Sequence, residues 1–126
     1  MVNLALIGTG RMGLIRMRCM QSLPGVTVSH VIDNNSESAS RLATEWGVKN
    51  VACTIEEALA LGKVDGFVVS TPTGSHMPII RDIAKHAPGK HIFTEKPVAD
   101  NADDIGKAFQ IAKEGNNMIC CSFQRR

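Results

Sequence analysis

The sequence predicts an α/β fold, a doubly wound, mostly parallel sheet with helices on both faces. Three observations predict it. Apolar runs of strand length alternate with segments of helical period, the pattern of repeated strand–helix–strand units. The first apolar run passes directly into Gly8-Thr9-Gly10-Arg11-Met12-Gly13. The run Gly66-Phe67-Val68-Val69 is continuously apolar, as expected of a strand covered on both faces. Right-handed crossovers then give the strand order 3-2-1-4-5-6.

The first strand is expected at Val2–Ile7 and the first helix over residues 11–22, opening from the glycines. Pro24-Gly25 breaks the chain before a second strand at Val26–Ile32. The turn Asp33-Asn34-Asn35-Ser36 supplies a cap for a helix over 37–46. Its Ala39, Leu42, Ala43 and Trp46 are spaced to face a sheet, and Gly47 ends it. A short strand follows near 50–53. Thr54-Ile55-Glu56-Glu57 is a capping box that starts a short helix carrying Ala58, Leu59 and Leu61. The fourth strand spans 64–69 and exits into a polar loop, Ser70-Thr71-Pro72-Thr73-Gly74-Ser75-His76. A helix over 75–87 turns Ile79, Ile80, Ile83 and Ala84 inward, and Pro88-Gly89 closes it. The fifth strand, 90–94, runs into Glu95-Lys96-Pro97. Asn101 and the early acids Asp103 and Asp104 open a helix over Ala102–Glu114. Gly115-Asn116 ends it, and 117–122 reads as a sixth strand.

A chain of 126 residues, 44% hydrophobic, is one domain with material for a sizeable core. Its 14 basic and 12 acidic side chains leave a formal charge of +2. That near balance, with no basic cluster among aromatics, argues against a nucleic-acid binder. Aromatics at 4%, with no tyrosine, leave no stacking platform for single strands. Arg16 and Arg18 share the first helix with Leu14, Ile15, Met17 and Met20 and are expected on its solvated face. Cys19, Cys53, Cys120 and Cys121 include no C-x-x-C pair, and adjacent Cys120 and Cys121 on a strand point to opposite faces. Neither a disulfide framework nor a metal site is expected. Free, mostly buried thiols suit a reducing compartment. No apolar span suits a membrane helix, and a motif beginning at Gly8 leaves no room for a leader ahead of it. A cytoplasmic protein with no membrane partner is expected.

The glycine run carries the chemistry. Gly8 allows a tight turn, Gly10 lets the backbone approach a pyrophosphate, and Gly13 lets the new helix sit close to the strand. Free N–H groups at the helix start face phosphate charge. Arg11, inside the loop, is a candidate phosphate neighbour. Asp33 follows the last glycine by twenty positions, at the end of the second strand, where a carboxylate binds an adenosine ribose. It would repel the extra phosphate of NADP, and Asn34 and Asn35 bring no positive charge beside it, so NAD is expected over NADP. The alternatives are a glycine-rich turn of another α/β protein and an Asp33 that only caps its own turn.

In such sheets ligands bind beyond the carboxyl ends of the strands, where the order reverses. Three polar loops are expected there: 8–13, 70–76 and 94–97. Thr71-Pro72 is either a wall beside the nicotinamide or an ordinary strand exit. His76, in the first turn of a helix, orients cofactor or substrate, or is a structural histidine bonded to loop backbone. Lys96 is the most suggestive side chain. An amine at the cleft mouth can hydrogen-bond a substrate hydroxyl, stabilise developing negative charge or join a proton relay. Pro97 restricts Lys96 to extended backbone and makes its peptide bond a candidate for the cis form. The alternative is a solvent-facing lysine.

Together, Gly8-x-Gly10-Arg11-Met12-Gly13, Asp33, Thr71-Pro72-Thr73 with His76, and Glu95-Lys96-Pro97 resemble the glucose–fructose/inositol dehydrogenase-like oxidoreductase family over essentially the whole chain, closest to the inositol 2-dehydrogenase type. The resemblance implies an NAD-binding Rossmann domain over 1–122. It also implies NAD(P)-dependent oxidation or reduction of a polyol, sugar or related hydroxyl compound. Lys96 matches the active-site lysine, Asp33 the ribose-binding acid, and Gly8 to Gly13, with Thr9 and Met12 between, the pyrophosphate loop. Thr73 and His76 match positions lining the cofactor channel, and Ser70, Thr71 and Pro72 of the same loop are expected to bind the cofactor beside them. Glu95 matches the acid near the nicotinamide ribose, and Asn34 stands beside the ribose acid.

Family enzymes continue into a second α/β domain that supplies a catalytic histidine, most of the substrate pocket and the usual homo-oligomer surface. Residues 123–126 are expected to begin the connection to it. None of His30, His76, His86 or His91 is placed to replace that histidine. The expectation is a fragment of a dehydrogenase that binds cofactor without useful turnover alone. The alternatives are a non-catalytic NAD-binding or sensing module, and a Rossmann enzyme using another nucleotide, such as a methyltransferase; the latter has no evident need of Lys96-Pro97.

Overall fold

The computed structural model of the chain describes residues 1–121. Its strands are β1 (Val2–Ile7), β2 (Val26–Ile32), β3 (Asn50–Ala52), β4 (Gly66–Val69), β5 (His91–Thr94) and β6 (Ile119–Cys121). Between them lie α1 (Arg11–Gln21), α2 (Ser36–Trp46), α3 (Ile55–Leu61), α4 (His76–His86) and α5 (Ala102–Glu114), with a 3-10 turn at Thr73–Ser75 before α4. The strands form one sheet in the order β3-β2-β1-β4-β5-β6, and every pairing is parallel. The predicted order holds, with its reversal between β1 and β4.

Alternation along the central strands builds two cores. Leu6, Val31 and Val68 face Met17 and Met20 of α1 and Ala39, Leu42 and Ala43 of α2. Ala5, Ile7, Phe67 and Val69 face the other way, toward Ala58 of α3, Ile80 and Ile83 of α4 and Ala108 of α5. Neighbouring residues of one strand bury on opposite faces, which is why residues 4–7 of β1 and the whole of β4 read as unbroken apolar runs.

Three of the helices, α2, α3 and α5, start where a side chain takes a first-turn N–H group. Asn35 Oδ1 accepts from Ser38 N at 3.1 Å, Thr54 Oγ1 from Glu57 N at 3.1 Å and Asn101 Oδ1 from Asp104 N at 2.9 Å. The Thr54 box differs in one respect: Glu57 Oε1 accepts from Cys53 N at 3.0 Å, one residue before the cap. Gly47 ends α2 at φ 71°. The fourth strand begins later than predicted because the Asp65 carboxylate, rather than a backbone carbonyl, takes the Asn3 N–H at 2.8 Å. Asn117 also stands outside its predicted strand. It is buried, and its Nδ2 donates to the carbonyls of Ala87 at 3.0 Å and Lys90 at 2.8 Å, tying down the turn into β5. Residue 122 and the expected connection at 123–126 lie outside the described residues.

The expectation of mostly buried thiols fails. Cys19, Cys53 and Cys120 are exposed and Cys121 is half-buried. β6 is the edge of the sheet, and Cys19 lies off the Met17–Met20 face of α1.

Candidate functional site

Because β1, β4 and β5 are parallel neighbours, the loops that follow them emerge at one end of the sheet. The glycine loop is shaped by two close approaches and one opening. Gly8 has φ 102°, and a Cβ there would lie 2.9 Å from the Ser70 backbone. A Cβ on Gly13 would lie 2.2 Å from the Gly8 carbonyl oxygen, so α1 can sit against β1 only without one. A Cβ on Gly10 would meet nothing within 4 Å. Gly10 is the N-cap of α1, which has no side-chain cap and no acid in its first turn. By contrast α2, α3 and α5 each have both. The leading N–H groups of α1 are thus left for an anion, and the helix dipole adds to that preference.

Asp33 closes the other side. Its Oδ2 accepts from Thr9 N at 2.9 Å and Thr9 Oγ1 at 2.7 Å. Its Oδ1 accepts from Asn35 N at 2.9 Å. One carboxylate therefore ties down the glycine loop and caps the following turn, the second being the alternative role read from sequence. A cleft of about 460 Å³ runs between Gly8, Thr9, Gly10, Asp33 and Asn34 on one side and Ser70, Thr71 and Pro72 on the other. Arg11 is exposed and Met12 half-buried; both lie off the cleft wall.

At the opposite end, the buried hydroxyls of Ser70 and Thr94 have no hydrogen-bond partner. They stand at the carboxyl ends of adjacent strands, and Ser70 is on the cleft wall. Thr71 Oγ1 accepts from Ser75 Oγ at 2.7 Å, which folds the loop onto itself. Thr73 is half-buried in the 3-10 turn. His76 is buried under the loops rather than on the cleft wall, with Nε2 3.0 Å from the Thr71 carbonyl and Nδ1 3.1 Å from that of Val98. Lys96 is exposed and its bond to Pro97 is cis.

Arg16 corrects the sequence reading. It is not on a solvated face; only Arg18 is. Its guanidinium makes two bonds to the buried Glu95, Nε to Oε2 and Nη2 to Oε1, the latter at 2.9 Å. It also lies 5.2 Å from the centre of the Phe93 ring. The hydrogen bonding to Glu95 raises the Arg16 pKa above its ordinary value, against the opposing effect of burial. The missed signal was spacing. Arg16 lies three residues after Gly13 and four before Met20, on the stripe that α1 buries.

Among the described residues, no group of three or more His, Cys, Asp or Glu could hold a metal ion, and no helix is long and apolar enough to cross a membrane.

A model of the Gfo/Idh/MocA oxidoreductase family, described as an NAD-binding Rossmann fold, matches residues 2–123. The chain is 30% identical over 128 residues to inositol 2-dehydrogenase of Gluconacetobacter diazotrophicus, covering 99% of this chain and 37% of that protein. It is 29% identical over 119 residues to 4-carboxy-2-hydroxymuconate-6-semialdehyde dehydrogenase of a Sphingobium species, covering 94% of this chain and 37% of that protein. A crystal structure of GenD2 from gentamicin A biosynthesis, in complex with NAD, is similar with a TM-score of 0.84 at 28% identity, over 95% of this chain and 34% of that one. The chain spans little more than a third of the length of these relatives.

Proposed function

Since the chain belongs to the Gfo/Idh/MocA oxidoreductase family, we propose that it is the NAD-binding domain of a dehydrogenase acting on a polyol, sugar or related hydroxyl compound. One observation carries the reading: the uncapped start of α1 at Gly10 opens onto the same cleft as the Asp33 carboxylate. The Gly8–Gly13 amides would hold the diphosphate and Asp33 the adenosine ribose. Ser70, Thr71 and Pro72 would wall the nicotinamide half, where the unpartnered Ser70 hydroxyl gains an acceptor or donor. Bound there, the nicotinamide supplies a carbon that accepts or gives a hydride. Lys96, exposed beyond β5, would hydrogen-bond the substrate oxygen and steady the charge that develops on it. The substrate class rests on the relatives, among them the inositol 2-dehydrogenase.

The same carboxylate favours NAD over NADP, because an added ribose phosphate would meet a negative charge held in place by Thr9 and Asn35. Titration of NADH, followed by its fluorescence, is expected to show saturable binding with enhanced emission. Calorimetry with the two oxidised cofactors is expected to show NAD binding more tightly. Absence of NADH binding defeats the cofactor assignment, and tighter NADP binding reverses the preference.

A further inference from the structure

Lys96 and Pro97 are exposed, but the residues on either side of them are buried: Glu95 is 7% and Val98 5% exposed. Each flank is fastened to a different part of the molecule. The Glu95 carboxylate is gripped by Arg16 of α1. The Val98 carbonyl is 3.1 Å from His76 Nδ1, and the same ring reaches the Thr71 carbonyl with Nε2. Arg16 is held in turn by the Phe93 ring and by its place beside Gly13, Met17 and Met20. It therefore joins the helix that starts at the glycine loop to the loop that carries Lys96, 79 residues away from it at Glu95.

We propose that Arg16 is a positioning residue. Through Glu95 it sets where the Lys96 loop stands against the nicotinamide end of the cleft. The proposal rests on the NAD-binding reading above. Without Arg16, Glu95 is a nearly buried carboxylate with its charge partner gone. Such a group is costly to keep in place, so it moves toward water and carries Lys96 with it. The diphosphate and adenosine contacts, on Gly8–Gly13 and Asp33, are built without Glu95. The loss therefore falls on one end of the cofactor only.

ADP, which lacks the nicotinamide and the ribose that carries it, separates the two ends. Affinities for NADH and ADP are measured for the wild type, Arg16→Met and Arg16→Lys, with circular dichroism as the control for folding. Wild type is expected to bind both ligands. Arg16→Met is expected to weaken NADH about tenfold, only part of the loss that breaking a buried pair carries, because most of that loss falls on the fold, while ADP stays within about twofold. Arg16→Lys keeps the charge but loses the two-pronged contact, so it is expected to fall between them. Where Arg16→Met does not fold, the same split, smaller, is read on Arg16→Lys. Equal weakening of both ligands, as a merely structural role of α1 would give, overturns the proposal. So does an unchanged NADH affinity. A wild type that binds neither ligand overturns the NAD-binding reading itself, which is a separate result.

Discussion

Gly10 and Gly13 sit three residues apart and predict opposite outcomes for the same substitution. At Gly13 an added methyl would meet a backbone oxygen at 2.2 Å, and no rotamer relieves it. Gly13→Ala must lift α1 off β1, at a cost of about 1–3 kcal/mol for forced overpacking. At Gly10 the methyl points into space and φ is −80°, which alanine adopts readily. Gly10→Ala is expected to cost no more than about 1 kcal/mol in urea unfolding, the difference between Gly and Ala at an N-cap, but to weaken NADH binding, since its methyl stands where the diphosphate would approach. Equal stability losses in the two variants would show that these glycines are not divided in this way. The motif's spacing places both residues and the carboxylate at 33. It did not place Arg16. A helical pattern says which stripe a residue shares, but not that β5 presents Glu95 and Phe93 to it from 79 positions away. The charge shares the buried stripe of α1 with Gly13, Met17 and Met20, and Glu95 holds it there.

Among the elements, the helix starts and the starts of β1, β2 and β3 are legible in the sequence, while that of β4 is not, for a physical reason. A cap is a local bond between a side chain and an N–H three residues on, so Asn35, Thr54 and Asn101 announce it in sequence. A strand start depends on its neighbour: residue 64 is apolar and buried, yet the ladder waits until Gly66 because the Asp65 side chain intervenes. The cap of α5 can be tested away from the cleft. Asn101 is exposed, and its Oδ1 bond to Asp104 N is the first-turn bond that Ala would remove. Asn101→Ala is expected to cost about 1 kcal/mol in urea unfolding and to leave NADH affinity untouched. A shift in affinity would mean that α5 communicates with the cleft, contrary to the capping account.

For the whole molecule, the two-faced packing imposes a pH limit at His30. This residue is fully buried on β2 and contacts Ser29 Oγ through Nδ1 at 2.8 Å, while Nε2 has no hydrogen-bond partner. Burial lowers its pKa below the ordinary 6.5, and the Ala58 backbone pulls the other way more weakly. The folded state thus resists a proton that the unfolded chain accepts. Well above pH 6.5 both states hold a neutral ring, and the stability is complete. As the pH falls below that value the unfolded state gains the proton first, so stability declines, by up to about 1.4 kcal/mol per pH unit from this one group. The decline stops once the pH passes the lowered folded-state value. Urea unfolding between pH 7.5 and 5 should show this fall, and His30→Gln, which cannot titrate, should flatten it. An identical slope in the variant would assign the acid sensitivity to other groups. None of this could be read from the sequence, where His30 is one histidine in an apolar run. Its burial follows only from α3 covering β2 on the face where Gly62 approaches the ring. The fold order follows from local alternation, but the titration behaviour needs the assembled layers.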